Sequence, residues 1–282
     1  MTAPIVTLTT DFGTRDPWVG IMKGVILGIA PTARLVDLSH DIAAQDILEG
    51  ALCLEAAVRF FPQGTIHLAV VDPGVGSARR ALAVRAGGQY YVGPDNGLLS
   101  LAFAQTPEAI LAVELTTTKY HLSPLSRTFH GRDLFAPVAA HLASGVPLER
   151  LGSVVTDPMR LVLPAAQRER DLVRGEVLSI DRFGNLVTSL TEEDLGSLAS
   201  SALVVEIGDV RLGAPVSVYA DASPGRLGAI VGSTGRLEIF AREGSAHARL
   251  GLGCGAPVVV RAGSVMRWRT SKTRGHLGHS YS

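Results

Sequence analysis

The chain has 282 residues, 46% of them apolar, with 26 basic and 26 acidic side chains. That length suffices for one large domain or two ordinary ones, and two are expected here. The zero net charge leaves no basic excess to hold nucleic acid or an anionic membrane. Cys53 and Cys254 lie far apart in unlike contexts, as expected of reduced thiols in a cytoplasmic protein rather than a disulfide framework. No stretch approaches the roughly 20 uninterrupted apolar residues of a membrane span, and Met1-Thr2-Ala3-Pro4 runs into a strand-like segment without the layout of a signal peptide.

Residues 5–8 read as a strand. A helix is expected over 17–29, because Asp16 can cap it, Pro17 suits its first turn, and Val19, Met22, Ile26 and Ile29 share one face. Residues 35–36 continue as a strand, 46–60 as a helix, and 66–71 as a buried strand. This alternation argues for an α/β layer with a central, mostly parallel sheet. Residues 82–84, 90–92 and 112–115 read as further strands separated by glycine-rich turns, and 134–142 as a helix.

The α/β catalytic domain is expected to occupy 1–165, and the charged, aperiodic stretch 166–172 to link it to a smaller domain over 173–269. In that second part the helical signal nearly vanishes. Short strands at 175–180, 203–207, 216–219, 227–231, 237–240 and 258–260 describe an all-β, barrel-like domain. Residues 270–282 have too few apolar side chains to pack and read as a flexible tail, where His276 and His279 fit solvated residues better than metal ligands.

Four clusters could carry chemistry. Asp11, in Thr9-Thr10-Asp11-Phe12-Gly13, follows the first strand, where a carboxylate can accept both hydroxyls of a ribose or simply form an Asx turn. Asp72 and Arg79 bracket the turn after the third strand and can pair, either for stability or to orient a reactant. His130, beside Gly131 at a helix start, can orient water or exchange a proton near neutral pH, although a lone histidine is more often structural. Asp181-Arg182-Phe183-Gly184-Asn185 combines an acceptor for an ammonium, an aromatic face and an amide able to pair with an adenine edge, and a plain β-turn explains its Gly-Asn equally well.

Taken in order with Asp16-Pro17-Trp18-Val19-Gly20, Asp37-Leu38-Ser39-His40, Phe61-Pro62-Gln63-Gly64-Thr65-Ile66-His67 and Pro94-Asp95-Asn96-Gly97, these segments resemble the S-adenosyl-L-methionine hydroxide adenosyltransferases. These form the branch of the fluorinase and chlorinase superfamily that uses water. The match runs from residue 7 to about residue 253.

The resemblance implies hydrolysis of S-adenosyl-L-methionine to adenosine and methionine without metal or cofactor. It also implies a homotrimer whose sites lie between one subunit's N-terminal domain and a neighbour's C-terminal domain. Asp72, Arg79 and His130 would surround the attacking water, and Asp11 would hold the ribose. Asn185 and Phe183 would meet adenine, Asp181 the methionine ammonium, and Ser233 the methionine carboxylate. Halogenating relatives carry an aromatic hydroxyl where this chain has His130 and a serine at Gly131, so water is the expected nucleophile and halide the alternative; their arginine where this chain has Thr234 bears instead on the carboxylate contact of Ser233. A metal hydrolase built on Asp11, His40, Asp72 and His130, and a nucleoside sensor without catalysis, are the readings from other classes. The first lacks ligand spacing of the usual kind, and the second has no need of an Asp-Arg-His set.

Overall fold

A computed structural model describes residues 3–106, 108–198 and 203–263. The chain divides into two compact units, 1–162 and 163–282.

In the first unit, β1 (Ile5–Thr10) is followed by α1 (Trp18–Ile29), β2 (Arg34–Ser39), α2 (Ile47–Val58) and β3 (Ile66–Val70). Next come β4 (Ala81–Ala86), β5 (Gln89–Pro94), the short α3 (Ser100–Phe103), β6 (Leu111–Glu114), α4 (Ala136–Ala143) and β7 (Ser153–Val155). The strands form one mixed sheet in the order β2-β1-β3-β5-β4-β6-β7. β2, β1, β3 and β5 pair in parallel, and the remaining three pairings are antiparallel. Two reversals bring β6 back into the common direction, so five of the seven strands run the same way.

Both faces of this sheet are buried, which is why its strands read as nearly continuous apolar runs. Ile66, Leu68 and Val70 alternate onto the face covered by α1 and α4, with Met22, Ile26, Phe135 and Val138. Ala69 and Val71 join Leu54, Leu98 and Phe103 on the other face. Val19, Met22 and Ile26 are buried on α1 as their spacing predicts, whereas Asp16 does not cap it. The helix begins one residue later than the capping pattern assumed, with Pro17 at the N-cap and no side-chain bond there. α2 is capped by Asp46, which accepts from the Glu49 N–H at 2.9 Å.

The helix expected from residue 134 starts as a π-helical turn over Gly131–Phe135. Pro137 has no N–H to offer the Asp133 carbonyl, which instead accepts from the Leu122 N–H at 2.8 Å. The start of this helix therefore holds the loop over 121–130.

The second unit contains β8 (Gln167–Glu169), β9 (Leu172–Ile180), β10 (Leu186–Thr191), α5 (Glu192–Gly196), β11 (Leu203–Ile207) and β12 (Val210–Leu212). β13 (Leu227–Val231), β14 (Arg236–Ala241), α6 (Ala246–Leu250) and β15 (Pro257–Ala262) complete it. The antiparallel order is β12-β11-β15-β9-β10-β14-β13, with β8 on β9. β12 and β13, at opposite ends of that order, touch, so the sheet nearly closes around a core of Val177, Leu190, Ile207, Leu237, Ile239 and Val260.

Two expectations are corrected here. The charged stretch taken as a linker contains strand β8, whose exposed residues suit an edge and whose Arg168 donates to Asp194 at 2.8 Å. Of 216–219, only Val216 makes a bridge, to Ile230, before a single 3-10 turn at Tyr219–Asp221. The tail with His276 and His279 lies outside the described residues. No helix among the described residues is long and apolar enough to cross a membrane.

Candidate active site

β1, β2 and β3 are parallel neighbours, so their C-terminal ends open at one edge of the sheet, where α/β folds place ligands. Asp11 follows β1 and Asp72 lies two residues beyond β3. The loops after β1 and β2 are tied by the Gly13 N–H to the His40 carbonyl and by Thr10 Oγ1 to His40 Nδ1, each at 2.8 Å.

The loop after β3 curls back so that Arg79 faces Asp72. Arg79 Nε donates to Asp72 Oδ1 at 2.8 Å, and Nη2 donates to Oδ2. The same Nη2 donates to His130 Nδ1 at 2.8 Å. Both charged side chains are withdrawn from solvent, at 12% exposure for Arg79 and 5% for Asp72, and the guanidinium lies 5.3 Å from the centre of the Phe135 ring. Gly76 is required in this loop: its φ is +76°, and a Cβ there would stand 2.5 Å from the Arg127 carbonyl oxygen.

Burial lowers the pKa of His130, and the adjacent Arg79 charge lowers it further against smaller opposing effects of Asp72, Asp133 and the Ser126 backbone. A guanidinium can only donate, so Nδ1 accepts and the neutral ring carries its proton on Nε2. Asp133, 2% exposed, steadies the approach to His130 by accepting from the Ser126 N–H at 2.8 Å and from Arg132. Asp11, Gln45, Asp72, Phe129, His130 and Gly131 line a cavity of about 300 Å³, with Arg79 behind it. Asp11 is held there by the Gln45 backbone N–H at 2.9 Å, and Gln45 adopts φ +67°, a costly conformation for a residue with a side chain.

In the second unit, the turn between β9 and β10 is organised by Asp181. Its Oδ1 accepts from the N–H groups of Phe183 at 2.9 Å and Asn185 at 2.8 Å, and its Oδ2 from Asn185 Nδ2 at 2.8 Å. Gly184 takes φ +79° against Ser245, leaving the Phe183 ring 76% exposed. Asp181, Phe183, Asn185 and Ser233 line one cavity of about 530 Å³, together with Tyr219 and Glu238.

The eight residues singled out in the sequence thus fall into two sets, Asp11, Asp72, Arg79 and His130 in one unit and Asp181, Phe183, Asn185 and Ser233 in the other. Each set surrounds its own cavity. Models of the SAM hydroxide adenosyltransferase N-terminal and C-terminal domains match residues 6–152 and 175–259, one for each unit.

The chain belongs to the SAM hydroxide adenosyltransferase family.

It is 41% identical to the (R)-S-adenosyl-L-methionine hydrolase of Salinispora tropica, over 92% of this chain and 98% of the relative. Its identity to the hydrolase of the same name from Thermus thermophilus is 42%, over 90% and 98%. Among solved structures, an uncharacterised conserved protein from Thermotoga maritima superposes with a TM-score of 0.84 at 32% identity, covering 91% of this chain and 99% of that one.

Gln45, Tyr219 and Glu238 also line these cavities and were not singled out in the sequence. A backbone N–H aimed at Asp11 leaves no trace in residue type at position 45. Glu238 could have been noticed as a lone acid among the apolar residues of β14. Among the described residues, no group of three or more His, Cys, Asp or Glu side chains is gathered as a metal site requires. His40, considered for such a site, is engaged with Thr10.

Proposed function

We propose that the chain hydrolyses S-adenosyl-L-methionine to adenosine and L-methionine, by in-line attack of a water on the ribose C5′, with neither metal nor cofactor. The observation that carries this reading is the single guanidinium of Arg79 bonded to both Asp72 and His130 beside a cavity that also holds Asp11. The sulfonium leaves as a neutral thioether, so no acid is needed at sulfur and catalysis reduces to aiming the nucleophile.

Arg79 fixes Asp72 and His130, the two members that line the cavity. The water donates to Asp72 and accepts from His130 Nε2–H, which leaves a lone pair for C5′. As the new C–O bond forms and the C–S bond breaks, the water's proton passes to Asp72. Such orientation removes much of the entropic barrier of a bimolecular step, worth about 7–11 kcal/mol when alignment is good. A Cβ at Gly131 would stand 3.1–3.3 Å from Phe129, Met22 and Phe12, which supports water over a halide held by a side chain at that position.

Asp11 holds the ribose hydroxyls, Asn185 and Phe183 the adenine, and Ser233 the methionine carboxylate. We further propose a cytoplasmic homotrimer in which one subunit's Asp11 cavity and a neighbour's Asn185 cavity enclose one substrate. The division of binding groups into two sets, one in each unit, supports that arrangement. Incubating chelator-treated protein with S-adenosyl-L-methionine, with and without chloride, tests the reading. Adenosine and methionine in both buffers are expected. A 5′-chloro nucleoside would make the chain a halogenase, and intact substrate would reject catalysis altogether.

A further inference from the structure

We infer that Glu238 holds the ammonium of the substrate's amino-acid end, while Asp181 serves chiefly to shape the adenine turn. The inference rests on the proposed function and names a contact that the family resemblance assigned elsewhere. β14 points Leu237, Ile239 and Ala241 into the core of its unit, and Glu238 lies on the opposite face, where it lines the cavity of Asn185 and Ser233.

A carboxyl only 7% exposed in mid-strand is costly unless something offsets it. Tyr219 O–H donates to Glu238 Oε2 at 2.9 Å. Burial raises its pKa and the charge of Asp181 raises it further, against the lowering effect of the Tyr219 bond, and no cationic side chain figures among these effects. Arg242 lines the same cavity, yet its Nη1 is spent on the carbonyls of Ala220 and Ala222, and Glu243 lies beside it.

The backbone is shaped around this carboxyl as well. A Cβ at Gly232 would fall 1.8 Å from Glu238 Oε1, so the turn that presents Ser233 accommodates the acid only as glycine. Asp181, by contrast, already accepts three N–H bonds from its own turn. An uncompensated, buried acid facing a cavity marks a site for a cation. The substrate's cation at that end is a primary ammonium with three N–H donors. Its arrival favours the ionised form of Glu238 and supplies a charge partner.

The test measures equilibrium binding of S-adenosyl-L-homocysteine, whose neutral sulfur leaves it unreactive, and of its desamino counterpart. Wild-type protein is expected to prefer the amino compound at least tenfold, and Glu238→Gln to abolish the preference while binding the desamino compound normally. Tyr219→Phe removes the donor that favours the carboxylate, so the loss of amino-compound affinity on acidification should set in at higher pH. A preference unchanged in Glu238→Gln, or an equal loss for both compounds, overturns the inference. Turnover is followed in parallel: wild-type protein that releases no adenosine refutes the hydrolase reading, and the binding ratio still decides the role of Glu238.

Discussion

Arg79 donates through one nitrogen to Asp72 and to His130, so a single guanidinium fixes the carboxylate and the imidazole that face the cavity. A lysine offers a point charge without the planar fork and cannot hold both partners in register. Arg79→Lys is therefore expected to lower kcat about a hundredfold, in the range seen when one preorganised group is lost. KM should change little, because Arg79 stands behind the cavity wall. Steady-state adenosine release checks both quantities, and a KM effect larger than the kcat effect would show that Arg79 binds substrate directly.

Asp133 controls His130 without touching the cavity. It accepts from the Ser126 N–H and from Arg132, and its carbonyl, left without a helical donor by Pro137, accepts from the Leu122 N–H. Asp133→Asn keeps the shape but weakens charge-assisted bonds, at a cost of about 1–3 kcal/mol in stability. Its charge also helps His130 keep a proton, so removing it moves the imidazole pKa lower still. Kinetics with NMR titration of His130 test this: kcat should fall about tenfold, and an imidazole titration unchanged from wild type would count against the link.

The α/β layer was legible because both faces of its strands are covered, so 66–71 and the periodicity of α1 stand out in composition alone. β10 and β12 were not, since Thr188 and Ser189 interrupt the apolar pattern and β12 has only three residues. Candidate residues were legible where they carry charge or an aromatic ring near a turn glycine, as Asp72, His130 and Phe183 do. Gln45 contributes only a backbone N–H through an unusual φ, and Glu238 acts through burial. Neither property belongs to a residue until the chain has folded.

His67 makes an independent prediction about stability. It is fully buried on β3, hydrogen-bonded to Thr7 Oγ1 at 2.8 Å and stacked on Tyr91, and burial lowers its pKa to about 4 from the ordinary 6.5. The unfolded chain thus takes up a proton that the folded chain refuses. The contribution is complete above pH 6.5 and is lost as pH falls towards 4, by about 3 kcal/mol in all. Urea titrations between pH 7 and pH 4 should show this slope in wild-type protein and a shallower one in His67→Gln. Parallel slopes would assign acid lability to other groups.

The proposed sharing of one site between subunits predicts complementation. Asp72→Asn destroys the water-orienting set of one unit and leaves the Asn185 cavity intact, and Asn185→Ala does the reverse. Each variant alone should be nearly inactive. If one substrate is enclosed by the Asp72 unit of one subunit and the Asn185 unit of another, co-expression creates some junctions at which both contributing units are wild type. In a trimer with one junction per neighbouring pair and random assembly, a junction needs an Asn185→Ala subunit to supply its Asp72 unit and an Asp72→Asn subunit to supply its Asn185 unit, so about a quarter of junctions are whole. Co-purified hybrids should regain that share of wild-type turnover, while separately purified variants, mixed without exchange, should not. Activity in the hybrids no greater than the sum of the two variants would place the complete site within one chain.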